Sequence, residues 1–244
     1  MAGLFSRLFH KKKPQEILCA AVVPAAGSST RMAGRDKILS PLGEQPVLAH
    51  TLRALELCPY ITEIVIVTRR ELIVPIGQLC RDYGFQKITK VVPGGESRTH
   101  SVLNGVREVS GQAELIAIHD GARPLVSQEV LERAIVRAAQ CGAAAPAVPV
   151  KDTIKRARDG VVEATLNRSE LFAIQTPQVF QGDLIRTALI KALEEGAELT
   201  DDCSAVERLG IGVALTQGDY RNLKITTPED LAVAEALLEW EDEA

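Results

Sequence analysis

The sequence predicts an α/β fold: a doubly wound, mostly parallel sheet with a protruding β-hairpin arm. Three observations carry this expectation. Short apolar runs of strand length recur along the chain, stretches with apolar residues at helical spacing alternate with them, and the runs end in loops rich in Gly, Ser, Arg or Asp. Alternation of this kind builds βαβ units, and such sheets bind ligands at the carboxyl ends of their strands. The composition permits it, since 46% of the 244 residues are hydrophobic and 25% charged, enough to bury a full core.

The first run, Ile17 to Val23, is wholly apolar, as a strand covered on both faces is, and is expected to end at Pro24. Val47, Leu48, Thr51, Leu52 and Leu55 then recur at helical spacing, with Pro46 where a first helical turn tolerates it. A strand over Glu63 to Thr68, a helix from about Glu71 to Tyr83 and a strand over Lys87 to Val92 follow. Next come a helix after Gly95 with Val102, Val106 and Val109 on one side, a strand over Glu114 to His119 and a helix from about Ser127 to Gln140.

The rhythm breaks after Val148. Thr153 to Arg156 and Val161 to Leu166 flank the turn-prone pair Asp159-Gly160, so residues 149–172 read as a hairpin arm too short to be a domain. Regular alternation resumes with Pro177 to Phe180, helices from about Asp183 to Glu195 and Asp201 to Leu209, a strand over Gly212 to Gln217 and a helix from about Pro228 to Trp240. With no internal repeat or low-complexity segment, residues 17–244 are expected to form one domain with its arm.

Charge and cysteine usage exclude several classes. The formal charge of −4 argues against a protein that coats nucleic acid, so any anionic ligand must be met by locally placed cations. No apolar run approaches the roughly 20 residues a membrane span needs, and a soluble, cytoplasmic protein is expected. Residues 1–16 form a basic leader with Arg7, Lys11, Lys12 and Lys13 behind Leu4, Phe5, Leu8 and Phe9. It reads either as a frayed terminus without a role or as a weak contact to an anionic membrane surface, and not as a secretory signal. Five cysteines without a C-x-x-C pair point to reduced thiols, and neither they nor the four histidines form a ligand cluster, so no protein-built metal site is expected.

The first strand-end loop, Pro24 to Lys37, contains neither G-x-G-x-x-G nor G-x-x-x-x-G-K-[ST], which disfavours a Rossmann dehydrogenase and a P-loop NTPase. It offers small residues whose backbone N–H groups can approach an anion, followed by Arg31 and Lys37, a pair able to clamp a triphosphate. Pro24-Ala25-Ala26-Gly27 with Thr30-Arg31-Met32 and Lys37 resembles the signature loop of the sugar-phosphate nucleotidyltransferases. Further motifs, in order, are similar to those of the 2-C-methyl-D-erythritol 4-phosphate cytidylyltransferase family. They are Gly94-Gly95-Glu96-Ser97-Arg98 with Ser101, His119-Asp120-Gly121-Ala122-Arg123-Pro124, Asp152-Thr153, Asn167-Arg168, Gln175-Thr176-Pro177-Gln178, Thr200-Asp201-Asp202, and Asn222-Leu223-Lys224-Ile225-Thr226. The resemblance runs from about residue 19 to 238. Arg35-Asp36 precedes Lys37 where the family often has a proline.

The resemblance implies a Rossmann-like nucleotidyltransferase fold and transfer of CMP from CTP to the 4-phosphate of methylerythritol phosphate, with release of pyrophosphate, in isoprenoid precursor synthesis. It implies Arg31 and Lys37 as the catalytic cations, Arg168 and Lys224 as the pair that positions the attacking phosphate, and Mg²⁺ carried mainly by the CTP phosphates. Pro24, Ala25, Ala26, Gly27, Gly95, Glu96, Arg98 and Ser101 are then nucleotide-binding, and Asp120, Arg123, Thr153, Thr176 and Thr200 bind substrate. The arm would cross to a second subunit in a homodimer, bringing Thr153 and Arg168 to the neighbour's site. Simpler readings accompany several of these: Ser97 as a helix N-cap, Asp120 with Arg123 as a structural ion pair, Thr200 as a helix start. A ribitol-5-phosphate cytidylyltransferase and a noncatalytic nucleotide sensor are the rival functions.

Overall fold

The computed structural model describes residues 17–27 and 36–243. The leader and the loop segment bearing Arg31 lie outside the described residues. Strands β1 (Cys19–Ala25), β2 (Pro41–Leu42) and β3 (Gln45–Pro46) lead into helix α1 (Val47–Leu57). Then follow β4 (Ile61–Thr68), α2 (Ile73–Asp82), β5 (Ile88–Pro93), α3 (Arg98–Glu108), β6 (Leu115–Ile118), α4 (Gln128–Cys141) and β7 (Ala143–Pro149). The chain continues through β8 (Lys155–Arg158), β9 (Val161–Thr165), β10 (Phe172–Ile174), β11 (Gln178–Gln181), α5 (Gly182–Glu194), α6 (Asp202–Glu207), β12 (Ala214–Gln217) and α7 (Pro228–Glu243).

The main sheet runs β10-β7-β11-β6-β1-β4-β5, with β12 also on β7. β1 pairs parallel with β4 and β6, β4 with β5, and β12 with β7, whereas β11 runs antiparallel between β6 and β7 and β10 antiparallel to β7. The sheet is thus mostly parallel, as expected, and its antiparallel strands are β10 and β11, which follow the arm. Side chains of β1 alternate between two cores. Cys19, Ala21 and Val23 join α1, α2 and α4 residues on one face, and Ala20 and Val22 join those of α3, α5 and α6 on the other. That alternation is the period-2 consequence of a doubly wound sheet.

Three local expectations are corrected. β1 does not stop at Pro24 but continues to Ala25. The carbonyl of Pro24 accepts from Gly121 N–H on the β6 side, where the ladder to β6 has already ended at Val22. Its nitrogen faces the same side, so the missing donor breaks no ladder bond. Thr200 does not cap α6: Asp201 does, its carboxylate accepting from Ser204 N–H at 3.0 Å. Val109 ends α3 in an extended conformation and is not part of it. The sequence also passes over β7, an alanine-rich strand of weak intrinsic preference that exists because it is buried between neighbours.

The arm forms where expected. β8 and β9 pair antiparallel around Asp159 and Gly160, which both adopt positive φ (50° and 79°), the backbone that a two-residue hairpin turn matched to strand twist requires. Its strands are exposed almost throughout, including Val161 and Val162.

Candidate active site

The carboxyl ends of β1, β5 and β6 converge on a cavity of about 430 Å³ lined by Pro24, Ala25, Ala26, Gly27, Lys37, Gly95, Glu96, Arg98, Ser101, Asp120 and Lys224 among others. Eleven positions expected from the sequence therefore face one space, built by four segments far apart in the chain. This is where a parallel sheet places its ligand.

Each wall has a local cause. Lys37 rides on a turn organised by Asp36, whose carbonyl accepts from Leu39 and Ser40 N–H and whose carboxylate accepts from Ile38 N–H and pairs with Arg69 just past β4. The opposite wall is the Gly94-Gly95 turn. A Cβ on Gly94 would stand 2.9 Å from both the Ala26 Cβ and the Ser101 Oγ, so only glycine lets this turn approach the first loop. Ser101, buried in α3, accepts from Gly95 N–H at 3.0 Å and donates to Ser97 carbonyl at 2.9 Å, while Ser97 caps α3. Ser101 therefore braces the turn from inside while also lining the cavity.

The floor is a charged network around Asp120, which is 7% exposed. Its carboxylate lies 2.9 Å from Lys224 Nζ, 3.6 Å from Arg123 Nε and 3.9 Å from Arg98 Nη2. Burial pushes this carboxyl up, but Lys224, Arg98 and Arg123 together outweigh it and hold it at about 2. Arg98 is gripped in turn by the buried Asp202 through two hydrogen bonds of 2.8 and 2.6 Å, a bidentate geometry that fixes the guanidinium plane. Burial opposes its charge, and Asp202 and Asp120 more than restore it.

Behind Asp120 lies His119, fully buried. Burial lowers its imidazole to about 4, so it is neutral. Nε2 donates to Arg123 carbonyl at 3.3 Å, Nδ1 accepts from Thr176 Oγ1 at 3.1 Å, and Thr176 Oγ1 accepts from Asp120 N–H at 3.1 Å. The Arg123 carbonyl can only accept, which fixes the proton on Nε2. The Asp120–Arg123 ion pair is thus real, and its Asp120 end also forms part of the cavity floor.

Not every expected residue reaches this cavity. Arg123 and Thr176 stand behind its floor, bonded to Asp120 and its turn. Thr153, Arg168 and Thr200 are exposed and away from it, with Arg168 donating to Lys151 carbonyl at 2.7 Å within the arm. Sequence reasoning assigned no role to His119, Asp202, Asp36, Gln175 or Asn222, although four of them stand inside quoted motifs. Their work is done on neighbouring groups, and nothing in their own chemistry announces it. Among the described residues no group of three His, Cys, Asp or Glu side chains gathers to hold a metal, and no helix is long and apolar enough to cross a membrane.

Known proteins share both sequence and shape with this chain. The family description 2-C-methyl-D-erythritol 4-phosphate cytidylyltransferase matches residues 19–240. A protein of that name from Desulforamulus reducens is 49% identical over 227 residues, covering 89% of this chain and 94% of its own. Another from Caldanaerobacter subterraneus is 47% identical over 226 residues, covering 90% and 98%. The crystal structure of 4-diphosphocytidyl-2C-methyl-D-erythritol synthase from Anaerococcus prevotii superposes with a TM-score of 0.81 at 32% identity, covering 91% of this chain and 99% of that one. The cytidylyltransferase of Thermus thermophilus superposes with a TM-score of 0.75 at 31% identity, over 89% and 98%. Motifs, fold and relatives agree: the chain belongs to the 2-C-methyl-D-erythritol 4-phosphate cytidylyltransferase family.

Proposed function

We propose that the strand-end cavity is where the α-phosphorus of CTP meets the 4-phosphate of 2-C-methyl-D-erythritol, with the residues below in the roles given. The reaction is that of the family: cytidylyl transfer from CTP to 2-C-methyl-D-erythritol 4-phosphate, releasing pyrophosphate and giving 4-diphosphocytidyl-2-C-methyl-D-erythritol for isoprenoid synthesis. The observation that carries the residue assignment is the convergence of Lys37, Arg98 and Lys224 on one cavity beside the Ala26-Gly27 and Gly95-Glu96 backbone.

Both reactants are anions, and each pair of unit charges brought to 4 Å costs about 4 kcal/mol at an effective dielectric constant near 20. Fixed cations must offset that cost and act where charge develops. Lys37, with Arg31 from the same loop, takes this part at the α-phosphate. Lys224 holds the attacking phosphate, while Arg123 and Thr176 serve the polyol side only by bracing Asp120 and its turn from behind the floor, and Thr200, outside the cavity, takes no part. Pro24 to Gly27, Gly95, Glu96, Arg98 and Ser101 surround the nucleotide. The attacking group is already an anion and needs no base. That fits a site whose central carboxyl is held at about 2 and whose one buried imidazole is enclosed by Thr176 and Arg123.

Nucleotidyl transfer of this class uses a divalent metal. With no protein cage among the described residues, and Asp120 already faced by three cations, the site fits Mg²⁺ that rides on the CTP phosphates and water. There it would neutralise phosphate charge. Asp120 keeps Lys224 aimed before the polyol phosphate arrives.

The arm completes the reading. Thr153 and Arg168 are exposed and do not line the cavity of their own chain, and Val161, Val162, Leu166, Phe172 and Ile174 are exposed apolar side chains on the arm and on β10. A homodimer in which the arm covers a second copy would use them, and Arg168 would enter the neighbour's site. In this reading residues 17–244 act as one domain with its arm, working in the cytoplasm.

The assay is pyrophosphate release with Mg²⁺, CTP and either methylerythritol phosphate or ribitol 5-phosphate. Release with methylerythritol phosphate is expected; release with ribitol phosphate alone, or with neither, would overturn the assignment.

A further inference from the structure

Lys224 sits on no helix or strand. Its segment lies between β12, which ends at Gln217, and α7, which begins at Pro228. A lysine on an irregular segment is a poor fixed charge unless its backbone is held, because ordering the chain there costs conformational entropy. Here the holding is done by side chains. The Gln175 amide pairs with both main-chain groups of Asp219, donating through Nε2 to its carbonyl at 2.6 Å and accepting at Oε1 from its N–H at 3.2 Å. Asn222, fully buried, donates through Nδ2 to Thr176 carbonyl at 2.9 Å and to Gln175 Oε1 at 3.4 Å. Both partners only accept, so the orientation of the Asn222 amide is fixed.

Two more bonds tie this segment to the turn bearing Asp120: Arg123 Nη1 donates to Asn222 carbonyl at 2.6 Å, and Ile225 N–H to Ala122 carbonyl at 2.8 Å. Lys224 is thus pinned two residues before and one after. The start of the segment is as closely fitted. A Cβ on Gly218 would stand 2.5 Å from Gln175 Oε1 and 3.1 Å from the Ala147 main chain, so only glycine admits the amide.

We propose that Gln175 and Asn222 are positioning residues that clasp the 218–225 segment to the end of the sheet and thereby aim Lys224 at the polyol phosphate. The inference rests on the reading that Lys224 holds that phosphate. It explains why two uncharged amides with no access to the cavity stand inside the motifs around Thr176 and Lys224.

The test is a double-mutant cycle on the full chain, with kcat and KM measured for both substrates. Asn222→Asp keeps size and shape but turns a carboxylate toward two oxygen acceptors. Alone it is expected to raise KM for methylerythritol phosphate about tenfold while KM for CTP moves less than about twofold. In the Lys224→Ala background its further effect is expected to stay below about twofold, because the cation it aims is gone. An undiminished penalty in that background, or a loss shared equally by CTP, would overturn the proposal. A Lys224→Ala variant with a normal KM for methylerythritol phosphate would overturn the underlying role of Lys224 and take the inference with it. Should Asn222→Asp not fold, the cycle of Gly218→Ala with Lys224→Ala gives the same decision, since the added methyl displaces Gln175 from the opposite side.

Discussion

The cavity floor and the arm place charged side chains by opposite means. Around Asp120, buried carboxylates are paired with partly buried guanidinium groups and braced by backbone from four segments, with Asp202 only 1% exposed. On the arm, Arg156 and Arg158 pair with Glu163 across an exposed hairpin, and the Arg168 side chain donates to the Lys151 carbonyl. A buried network holds its geometry before any ligand arrives, because moving one member leaves another charge unpaired in low dielectric. An exposed hairpin holds only its own backbone, and its cations acquire a fixed position when something covers them. One chain thus carries a finished half-site and an unfinished one.

The contrast breaks most visibly at Asp202. Asp202→Ala leaves Arg98 without its bidentate partner and is expected to lower folding stability by about 3–5 kcal/mol, read from denaturant titration. Removing a cation that acts at the reacting centre costs rate instead: Lys37→Ala is expected to lower kcat roughly 10²–10³-fold with a smaller change in KM for CTP. An unchanged kcat would remove Lys37 from the catalytic set.

The buried side also carries a pH signature that the arm, with no histidine between residues 149 and 172, lacks. Burial holds His119 at about 4 against an ordinary 6.5. On acidification the unfolded chain takes up a proton that the native one refuses, so stability present above pH 6.5 is lost as pH falls toward 4. The total is about 3 kcal/mol. Denaturant midpoints measured between pH 7.5 and 4.5 check it, and a flat profile through this window would contradict the buried neutral ring.

The unfinished half is sharpened by complementation. Arg168→Ala is expected to impair use of methylerythritol phosphate about 10–100-fold. If the arm serves a neighbour, mixing it with Lys37→Ala under subunit exchange restores one intact site per heterodimer, about a quarter of wild-type activity at statistical mixing. No recovery would place Arg168 outside the neighbour's site. The smallest effect belongs to Glu163→Ala, whose exposed ion pairs are expected to contribute less than about 1 kcal/mol to stability.

Much of the cavity was legible because the residues that line it are themselves chemically loud. Gly95, Lys37, Asp120 and Lys224 stand at strand ends or in loops where the sequence already marks a break in periodicity. The supporting residues were silent for a physical reason. An amide such as Asn222, or an imidazole such as His119, has no intrinsic role until its partners are known, and those partners lie 46 and 57 positions away. The same holds for β7, whose alanines become a strand through burial, and for Pro24, tolerated within β1 because β6 ends early.

Sequence alone determined the strand–helix alternation, the hairpin turn at Asp159-Gly160, the order of the motifs and the cations proposed to meet phosphate, because each rests on local periodicity, backbone preference or side-chain chemistry. Tertiary structure alone decided that β11 enters the sheet antiparallel between β6 and β7. It also decided that Asp201 and not Thr200 caps α6, that His119 is neutral, and that Lys224 is aimed through Gln175 and Asn222. These follow from burial and from hydrogen bonds between residues distant in the chain, which come into being only when the sheet closes over its two cores.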